Sequence, residues 1–290
     1  MPERDGYIPG VPCWTDTGQP DPGAAASFYG ELFGWELQDV MPPGAGPYII
    51  GRIRGGDAAA ITQPEQSGDP AAWRTYISVE RADDAAERVR AAGGAILAEP
   101  FDVGEAGRMA VFADCEGAVF RVWEPKQHKG AGIVNEHGSV NFNTLHTSDP
   151  GSAKAFYRAV FGWDTLDLGP GMAMWTLPGY GDHLEASAPG LREQMASVGA
   201  PPRFEDVVAS AVPCEGGESP HWSVTFAVDD ADAIAQKAAS LGGEVTVPPF
   251  DAPWVRTTVI TDPQGATFTA SKFVPENKDL LGATAGSQAA

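Results

Sequence analysis

The sequence has little cysteine, few positive charges and no long apolar run. Its three cysteines, Cys13, Cys115 and Cys214, are too few and too scattered for a disulfide framework or a zinc motif. Lysine and arginine number 19 against 39 aspartates and glutamates, a net charge of −20. This balance argues against nucleic acid and anionic membranes as partners, because both require clustered positive charge. No apolar run approaches the roughly 20 residues of a membrane span.

The first five residues, Met1–Asp5, lack the basic start and apolar core of a signal peptide. We therefore expect a cytoplasmic protein, either a monomer or a homodimer. A length of 290 residues with 43% hydrophobic residues is enough for two globular domains.

The chain repeats itself once. The segment Asp21–Tyr29 recurs as Asp149–Tyr157, and a Phe-Gly-Trp triplet follows each copy at the same distance. The turn Asp114–Phe120 is matched by Asp262–Phe268. The repeat predicts two homologous halves. Their expected boundaries are a first domain at 8–126, a linker at 127–138, a second domain at 139–275 and a flexible tail at 276–290.

Each half divides further into two modules of one strand, one helix and three strands, so the expected fold class is α+β. Asp21 and Asp149 are predicted N-caps, each followed by a proline at the first helical position. In the third module we expect strands at Met172–Leu177 and His183–Ser187. The long segment 189–220 is predicted to carry a short helix near Phe204–Ala211.

The repeated D-P-x-x-A-x-x-F-Y-x-x-x-F-G-W segments and the D-P-Q-G-A-x-F turn at Asp262 resemble the vicinal oxygen chelate superfamily. That superfamily contains glyoxalases, bleomycin resistance proteins and extradiol dioxygenases. The sequence is most similar to an actinobacterial branch of tandem glyoxalase-like proteins. The resemblance implies four βαβββ modules that form two open-barrel clefts.

The resemblance also implies four metal ligands per cleft, two from each module. At the positions where relatives hold these ligands, this sequence has Trp14, Ala60, Arg74, Arg121, Phe142, Ser223 and Thr269, with Glu185 as the only carboxylate. Because these side chains offer almost no anionic or imidazole donor, the expectation is that no metal is bound there. An alternative stays open in the second domain, where His183, Glu185 and His221 would form a set of two imidazoles and one carboxylate.

Strand alternation predicts which side chains line each cleft. The first cleft is expected to present Trp14, Asp16, Arg74, Tyr76, Arg121 and Trp123. The second is expected to present Phe142, Thr144, His146, Glu185, His221, Ser223 and Thr269, with Trp254 at its rim. Aromatic faces suit a flat organic ligand, and Arg74 or Arg121 suits its carboxylate or phenolate oxygen. The candidates for acid–base catalysis are Asp16, and His146 or His221 with Glu185.

These features favour metal-independent binding of a small aromatic or polycyclic organic molecule. Whether the protein is an enzyme is left open. If it is one, acid–base chemistry of a lyase, isomerase or hydrolase is favoured over metal-dependent dioxygenation. Two alternatives remain at this point: a metal-dependent lyase or oxygenase that uses the second cleft, and a regulatory or interaction protein with vestigial clefts.

Overall fold

The computed structural model describes residues 4–168 and 173–282. They form four modules of one strand, one helix and three strands, and the third module has two additional helices. The first contains β1 (Pro12–Gly18), α1 (Pro22–Phe33), β2 (Glu36–Asp39), β3 (Tyr48–Ile53) and β4 (Gly56–Thr62). The second contains β5 (Ala72–Ser78), α2 (Ala82–Ala91), β6 (Ala95–Val103), β7 (Gly107–Ala113) and β8 (Val119–Pro125). The third contains β9 (Val140–Thr147), α3 (Pro150–Phe161), β10 (Asp164–Asp167), β11 (Ala173–Thr176), α4 (Tyr180–Ser187), α5 (Leu191–Ser197) and β12 (Val207–Pro213). The fourth contains β13 (His221–Ala227), α6 (Ala231–Ser240), β14 (Glu244–Ala252), β15 (Val255–Thr261) and β16 (Thr267–Phe273).

The strands of these modules belong to two sheets of eight, which confirms the α+β class and the four-module prediction. Each module repeats one pairing scheme. Its first strand pairs in parallel with its last, as in β1 with β4 and β9 with β12. Its other strand neighbours are antiparallel, as in β3 with β4 and β11 with β12. The parallel pair becomes possible because the helix carries the chain back across the sheet.

The helices α1 and α3 begin and end as the repeat predicts. Asp21 accepts a hydrogen bond from the backbone N–H of Ala24, and Asp149 does the same for Gly151 and Ser152. Each helix then stops at a glycine in the left-handed conformation, at positions 34 and 162, with φ of 73° and 74°. Such a backbone angle costs glycine little, so both helix ends follow from local sequence.

The third module departs from the prediction at one place. Residues predicted as a strand at His183–Ser187 lie in α4, which begins after Gly179 in the left-handed conformation. The strand that completes the sheet is instead β12, where a short helix near Phe204–Ala211 was expected. Only a single 3-10 turn, Phe204–Asp206, remains of that helix. Burial explains the exchange, since Ala209 and Ala211 in β12 are buried whereas His183 is exposed.

The ends of two predicted elements lie outside the described residues. Met172 was expected to begin a strand, and the described part of that strand is β11. Of the expected flexible tail, residues 276–282 belong to a 3-10 helix, Pro275–Gly282, and 283–290 lie outside the described residues. Among the residues that are described, no helix combines the length and the apolarity needed to cross a membrane.

The chain packs as two compact units, and each has its own core. The first unit comprises Met1–Cys13, Thr75–Gly130 and Phe142–Trp222, which are mainly the second and third modules. In its core the buried faces of α2 and α3 pack against strand residues. The largest members are Phe112, Phe120, Phe156, Tyr157, Trp163, Trp175 and Trp222. Each fully buried side chain of this size contributes roughly 1.5–3 kcal/mol relative to exposure.

The second unit comprises Trp14–Arg74, Ala131–Asn141 and Ser223–Ala290, which are mainly the first and fourth modules. Its core is built from α1, α6 and their strands in the same way. The largest members are Phe28, Tyr29, Phe33, Trp35, Trp73, Phe226 and Phe268. The sequential boundaries expected from the repeat, 8–126 and 139–275, stay a prediction.

One buried hydrogen-bond network occurs once in each unit. In the first unit the Tyr157 hydroxyl donates to the Asp114 carboxylate over 2.9 Å and accepts from the Trp222 indole over 2.9 Å. In the second unit Tyr29 donates to Asp262 over 2.7 Å and accepts from the Trp73 indole over 3.0 Å. Both aspartates also accept two backbone N–H groups of their own turns. The network therefore ties a helix, a turn and a strand together inside each core.

The two networks differ in one bond. In the second unit Gln19 also donates to the Asp262 oxygen that Tyr29 reaches, over 2.6 Å. Among the residues that the structure describes, the corresponding Asp114 oxygen accepts from Tyr157 alone. Loss of the tyrosine hydroxyl therefore leaves an oxygen of Asp114 without a hydrogen-bond donor, whereas the equivalent oxygen of Asp262 keeps Gln19.

We predict that Tyr157→Phe destabilises the protein by at least about 2 kcal/mol, because a buried carboxylate oxygen and an indole N–H both lose their partner. Tyr29→Phe is expected to cost about 1 kcal/mol less, because Gln19 still satisfies Asp262. Urea unfolding of both variants measures the difference. Equal losses would contradict the assigned role of Gln19.

Candidate functional site

Three of the residues predicted to line the first cleft lie together in the second unit, joined by Tyr48. The Trp14 indole N–H donates to the Tyr48 hydroxyl over 2.9 Å. That hydroxyl lies 3.3 Å from an oxygen of Asp16. The other Asp16 oxygen lies 3.4 Å from a terminal nitrogen of Arg74. We call Trp14, Tyr48, Asp16 and Arg74 the Trp14 cluster.

The charged members of the Trp14 cluster are largely removed from solvent. The side chain of Asp16 is 1% exposed and that of Arg74 is 12% exposed. A guanidinium group carries five N–H donors. Among the described residues, Asp16 is the one partner of the Arg74 guanidinium, over a long distance. Most of the hydrogen-bonding capacity of this half-buried cation is therefore available to a ligand or to solvent.

The position of Arg74 depends on a glycine. A methyl group added to Gly18 on β1 would lie 2.2 Å from the nearer terminal nitrogen of Arg74 and 2.7 Å from its central carbon. The guanidinium thus occupies space that any other residue at position 18 would fill.

The hydroxyl of Tyr48 acts as a donor to Asp16. Burial, and then the negative charge of Asp16, raises the pKa of Tyr48 well above its ordinary value. The phenol therefore keeps its proton, and the hydrogen bonds run in one direction, from indole to phenol to carboxylate.

The other residues predicted for the first cleft lie in the first unit. Tyr76 and Arg121 are register partners on the parallel pair β5 and β8, and the guanidinium lies 5.8 Å from the ring centre. The Trp123 indole donates to the carbonyl of His128 over 2.9 Å and packs edge-on against its imidazole. All three predicted side chains are buried.

The two predicted catalytic histidines meet in the first unit. The rings of His146 on β9 and His221 at the start of β13 stack with their centres 4.2 Å apart and 15° between their planes. Glu218, which was not predicted, lies in the loop before β13, with a carboxylate oxygen 3.0 Å from Nδ1 of His146. We call His146, Glu218 and His221 the His146 cluster.

The protonation of this cluster follows from its surroundings. Burial, and then the neighbouring His221, lowers the pKa of His146 below its ordinary value of 6.5. For Glu218, burial acts to raise the pKa, but hydrogen bonds from the Glu215 backbone N–H and from His146 outweigh it and hold the pKa below its ordinary value. A neutral imidazole beside an ionised carboxylate is the favoured state.

The alternative metal set was wrong in its geometry. His183 and Glu185 lie on helix α4 and not on a strand, so they do not face His221 as strand alternation required. Glu185 instead accepts hydrogen bonds from the backbone N–H groups of Gly190 and Arg192 at the start of α5. Among the described residues, the one group of three or more possible ligands close enough for a metal ion is the His146 cluster.

The remaining predicted residues are spread over both units. Thr144 shares a 2.7 Å hydrogen bond with Ser210, its neighbour on β12. Trp254 lies in the β14–β15 turn, where its ring stacks on Phe273 at 6.5 Å. The others, Phe142, Ser223 and Thr269, are half-buried on β9, β13 and β16.

The register also tests whether the positions implied by the resemblance fit a metal. Asp16 on β1 pairs with Ala60, and the corresponding Thr144 on β9 pairs with Ser210. Ser210 therefore takes the place that Glu185 was expected to fill, and it offers a neutral hydroxyl. With indole, methyl, guanidinium, phenyl and hydroxyl groups at these positions, the donors do not fit a divalent cation.

The chain matches one protein-family model along most of its length. The model of the Glyoxalase/Bleomycin resistance protein/Dioxygenase superfamily matches residues 16–122 and 139–269, which together are most of the chain. The chain belongs to this superfamily. The resemblance read from the repeated motifs is thereby confirmed.

Full-length relatives within the superfamily carry two kinds of name. The protein named "Putative glyoxylase CFP32" from Mycobacterium tuberculosis is 39% identical, and the alignment covers 95% of this chain and 100% of the relative. Anthracycline biosynthesis protein DnrV from Streptomyces peucetius is 36% identical, with 90% of this chain and 93% of DnrV covered.

Solved structures of the superfamily share the fold at low identity. The Mn(II)-bound glyoxalase from Novosphingobium aromaticivorans matches with a TM-score of 0.59 and 15% identity, over 91% of this chain and 83% of that one. The 2,3-dioxygenase LapB from Pseudomonas sp. KL28 matches with a TM-score of 0.60 and 12% identity, over 92% and 93%. At such identities the likeness concerns the fold alone.

Sequence reasoning missed Tyr48 and Glu218. Tyr48 stands at the start of β3, and nothing local in the sequence indicates that its hydroxyl lies beside Asp16. Glu218 had a weak signal, because Gly216 and Gly217 precede it and His221 follows closely. A turn of that kind returns the chain toward the strand it has left.

We predict that Gly18→Ala displaces the guanidinium of Arg74 from Asp16 and destabilises the protein by about 1 kcal/mol, because the flexible end of Arg74 can move and the loss is mainly that of the ion pair. Gly132→Ala is the matched control, because its added methyl would lie no nearer than 3.5 Å to another atom. Urea unfolding measures both variants.

A double-mutant cycle separates the collision with Arg74 from other effects of the added methyl. With Arg74→Ala the collision is absent, so Gly18→Ala should then cost little more. Additive losses would show that Arg74 is not what the added methyl meets.

Proposed function

We propose that this protein binds a small, planar, polycyclic organic molecule at the Trp14 cluster without a metal ion, through an acidic or carbonyl oxygen of the ligand that Arg74 holds. The observation that carries the proposal is the half-buried guanidinium of Arg74, 12% exposed, whose described partner is Asp16 alone at 3.4 Å. A cation with little solvent around it is stabilised by an additional acceptor. A carboxylate, phenolate or quinone oxygen supplies the missing acceptor, with two hydrogen bonds in the best geometry.

The neighbours of Arg74 support an aromatic ligand. Trp14 and Tyr48 hold each other in place through the indole–hydroxyl bond. Rigid aromatic side chains bind flat apolar molecules at small cost in conformational entropy. Asp16 then serves to orient Arg74 and Tyr48, because its carboxylate already contacts both.

The names of the relatives support the class of ligand. DnrV is named for anthracycline biosynthesis, and anthracyclines are polycyclic quinones with acidic phenol groups. A fused-ring ligand with polar oxygens on its edge matches the pairing of aromatic faces with one cation. A cytoplasmic location, and a monomeric or homodimeric state, stay predictions of the sequence.

We expect the chelator-treated protein to bind anthraquinone-2-carboxylate, with quenching of tryptophan fluorescence as the measurement. Arg74→Gln should weaken this binding about tenfold to a hundredfold, because a charge-assisted hydrogen bond contributes roughly 1.5–3 kcal/mol. The affinity for the neutral anthraquinone-2-carboxamide should fall far less in this variant, since this probe lacks the charge that Arg74 recognises. Trp14→Phe should weaken both.

The control for Arg74→Gln is Arg81→Gln, which removes an exposed arginine outside the cluster. Its affinities should equal those of the parent protein. If Arg74→Gln lowered the affinity for both probes equally, recognition of the acidic oxygen would be refuted. Binding that disappears on chelation would refute the metal-independent mode.

A further inference from the structure

The His146 cluster has no part in the binding proposed at the Trp14 cluster, yet it gathers three metal-binding side chain types in the first unit. From its geometry we infer that His146, Glu218 and His221 bind one divalent transition-metal ion, with Zn²⁺ as the best match. Two imidazoles and one carboxylate are a common protein ligand set for Zn²⁺, and they leave a coordination position for water or another small ligand.

The distances are close to those of a formed site. One ligand atom of each residue lies within 4.8 Å of the other two. Ligand atoms held tetrahedrally about 2.1 Å from one ion lie about 3.4 Å apart. The cluster must therefore contract by up to about 1.4 Å, and the two stacked imidazoles must turn so that the ion lies in both ring planes. Glu218 can move that far by a change of rotamer, because its side chain is 35% exposed.

One imidazole is already oriented for a ligand. Nδ1 of His221 lies 2.9 Å from the carbonyl oxygen of Ser219. A carbonyl oxygen only accepts hydrogen bonds, so Nδ1 carries the proton and Nε2 of His221 has the free lone pair. Metal-binding histidines in proteins are held in this way by a hydrogen bond from the second ring nitrogen.

The backbone brings Glu218 to the two histidines. Gly216 and Gly217 both adopt the left-handed conformation, with φ of 57° and 83°. The chain therefore turns sharply after Glu215, whose backbone N–H donates to the Glu218 carboxylate over 3.0 Å. The carboxylate is positioned by the turn before any ion binds.

This site differs from the one that the superfamily resemblance implies. His146 lies four residues beyond Phe142 on β9, and His221 lies two residues before Ser223 on β13. Two residues along a strand correspond to roughly 6–7 Å. The carboxylate comes from a loop and not from the last strand of a module. The ligand set is therefore displaced along the strands and newly assembled.

The decisive experiment is titration of chelator-treated, dialysed full-length protein with Co²⁺, followed by visible absorption, and with Zn²⁺, followed by isothermal calorimetry. We expect one ion per chain and displacement of Co²⁺ by Zn²⁺. His221→Ala and His146→Ala should each weaken Zn²⁺ binding at least about a hundredfold, and Glu218→Gln about tenfold.

The matched controls are His183→Ala and His137→Ala, which remove histidines outside the cluster and should leave affinity and stoichiometry unchanged. His221 is half-exposed at the start of its strand, so its alanine variant is expected to fold, and circular dichroism checks this. The parent protein should gain thermal stability with Zn²⁺, whereas His221→Ala should not.

Two outcomes would overturn the inference: no stoichiometric binding of either ion, or binding that His221→Ala and His146→Ala leave intact. Because the aromatic probes are tested in the presence of chelator, failure of this site and failure of the proposed function are separate results.

Discussion

The hydrogen bonds that a buried tyrosine makes to an aspartate and a tryptophan hold each unit of this protein together. In the first unit Tyr157 joins α3 to the turn at Asp114 and to Trp222. The equivalent bonds of Tyr29 do the same in the second unit. A buried carboxylate is tolerated only when its oxygens are satisfied, so the three elements must keep one arrangement. The two tryptophans lie on strands that carry candidate site residues: Trp73 precedes Arg74 on β5, and Trp222 follows His221 on β13.

The need to satisfy polar groups that are shielded from solvent also bears on the Trp14 cluster. The protein satisfies the carboxylate of Asp16 with Tyr48 and Arg74, but it leaves most donors of Arg74 without a described acceptor. A structural ion pair would be expected to satisfy both partners. The cluster therefore has more hydrogen-bond donors than described acceptors, and this excess marks a place for an acidic or carbonyl oxygen.

The candidate sites were predictable only in part. Strand alternation selected Trp14, Asp16 and Arg74 for one face, and in the structure these three belong to one hydrogen-bonded cluster, whereas Tyr76, Arg121 and Trp123 lie in the other unit. It also selected His146 and His221, but it joined them with Glu185 instead of Glu218. The error arose in the inserted segment, where the chain after Gly179 is helical and the strand comes about 20 residues later. Short segments without clear periodicity do not distinguish helix from strand.

By itself, the sequence determined the order of the modules, the starts and ends of α1 and α3, and the family, because caps, prolines and glycines act on their immediate neighbours. Tertiary structure alone decided which modules share a core, that Tyr48 reaches Asp16, and that a glycine turn brings Glu218 to His146. Those contacts join residues far apart in the chain or depend on the rotation of a loop. Local conformational preference does not specify such contacts. The free energy that selects them comes from packing and from satisfying buried polar groups.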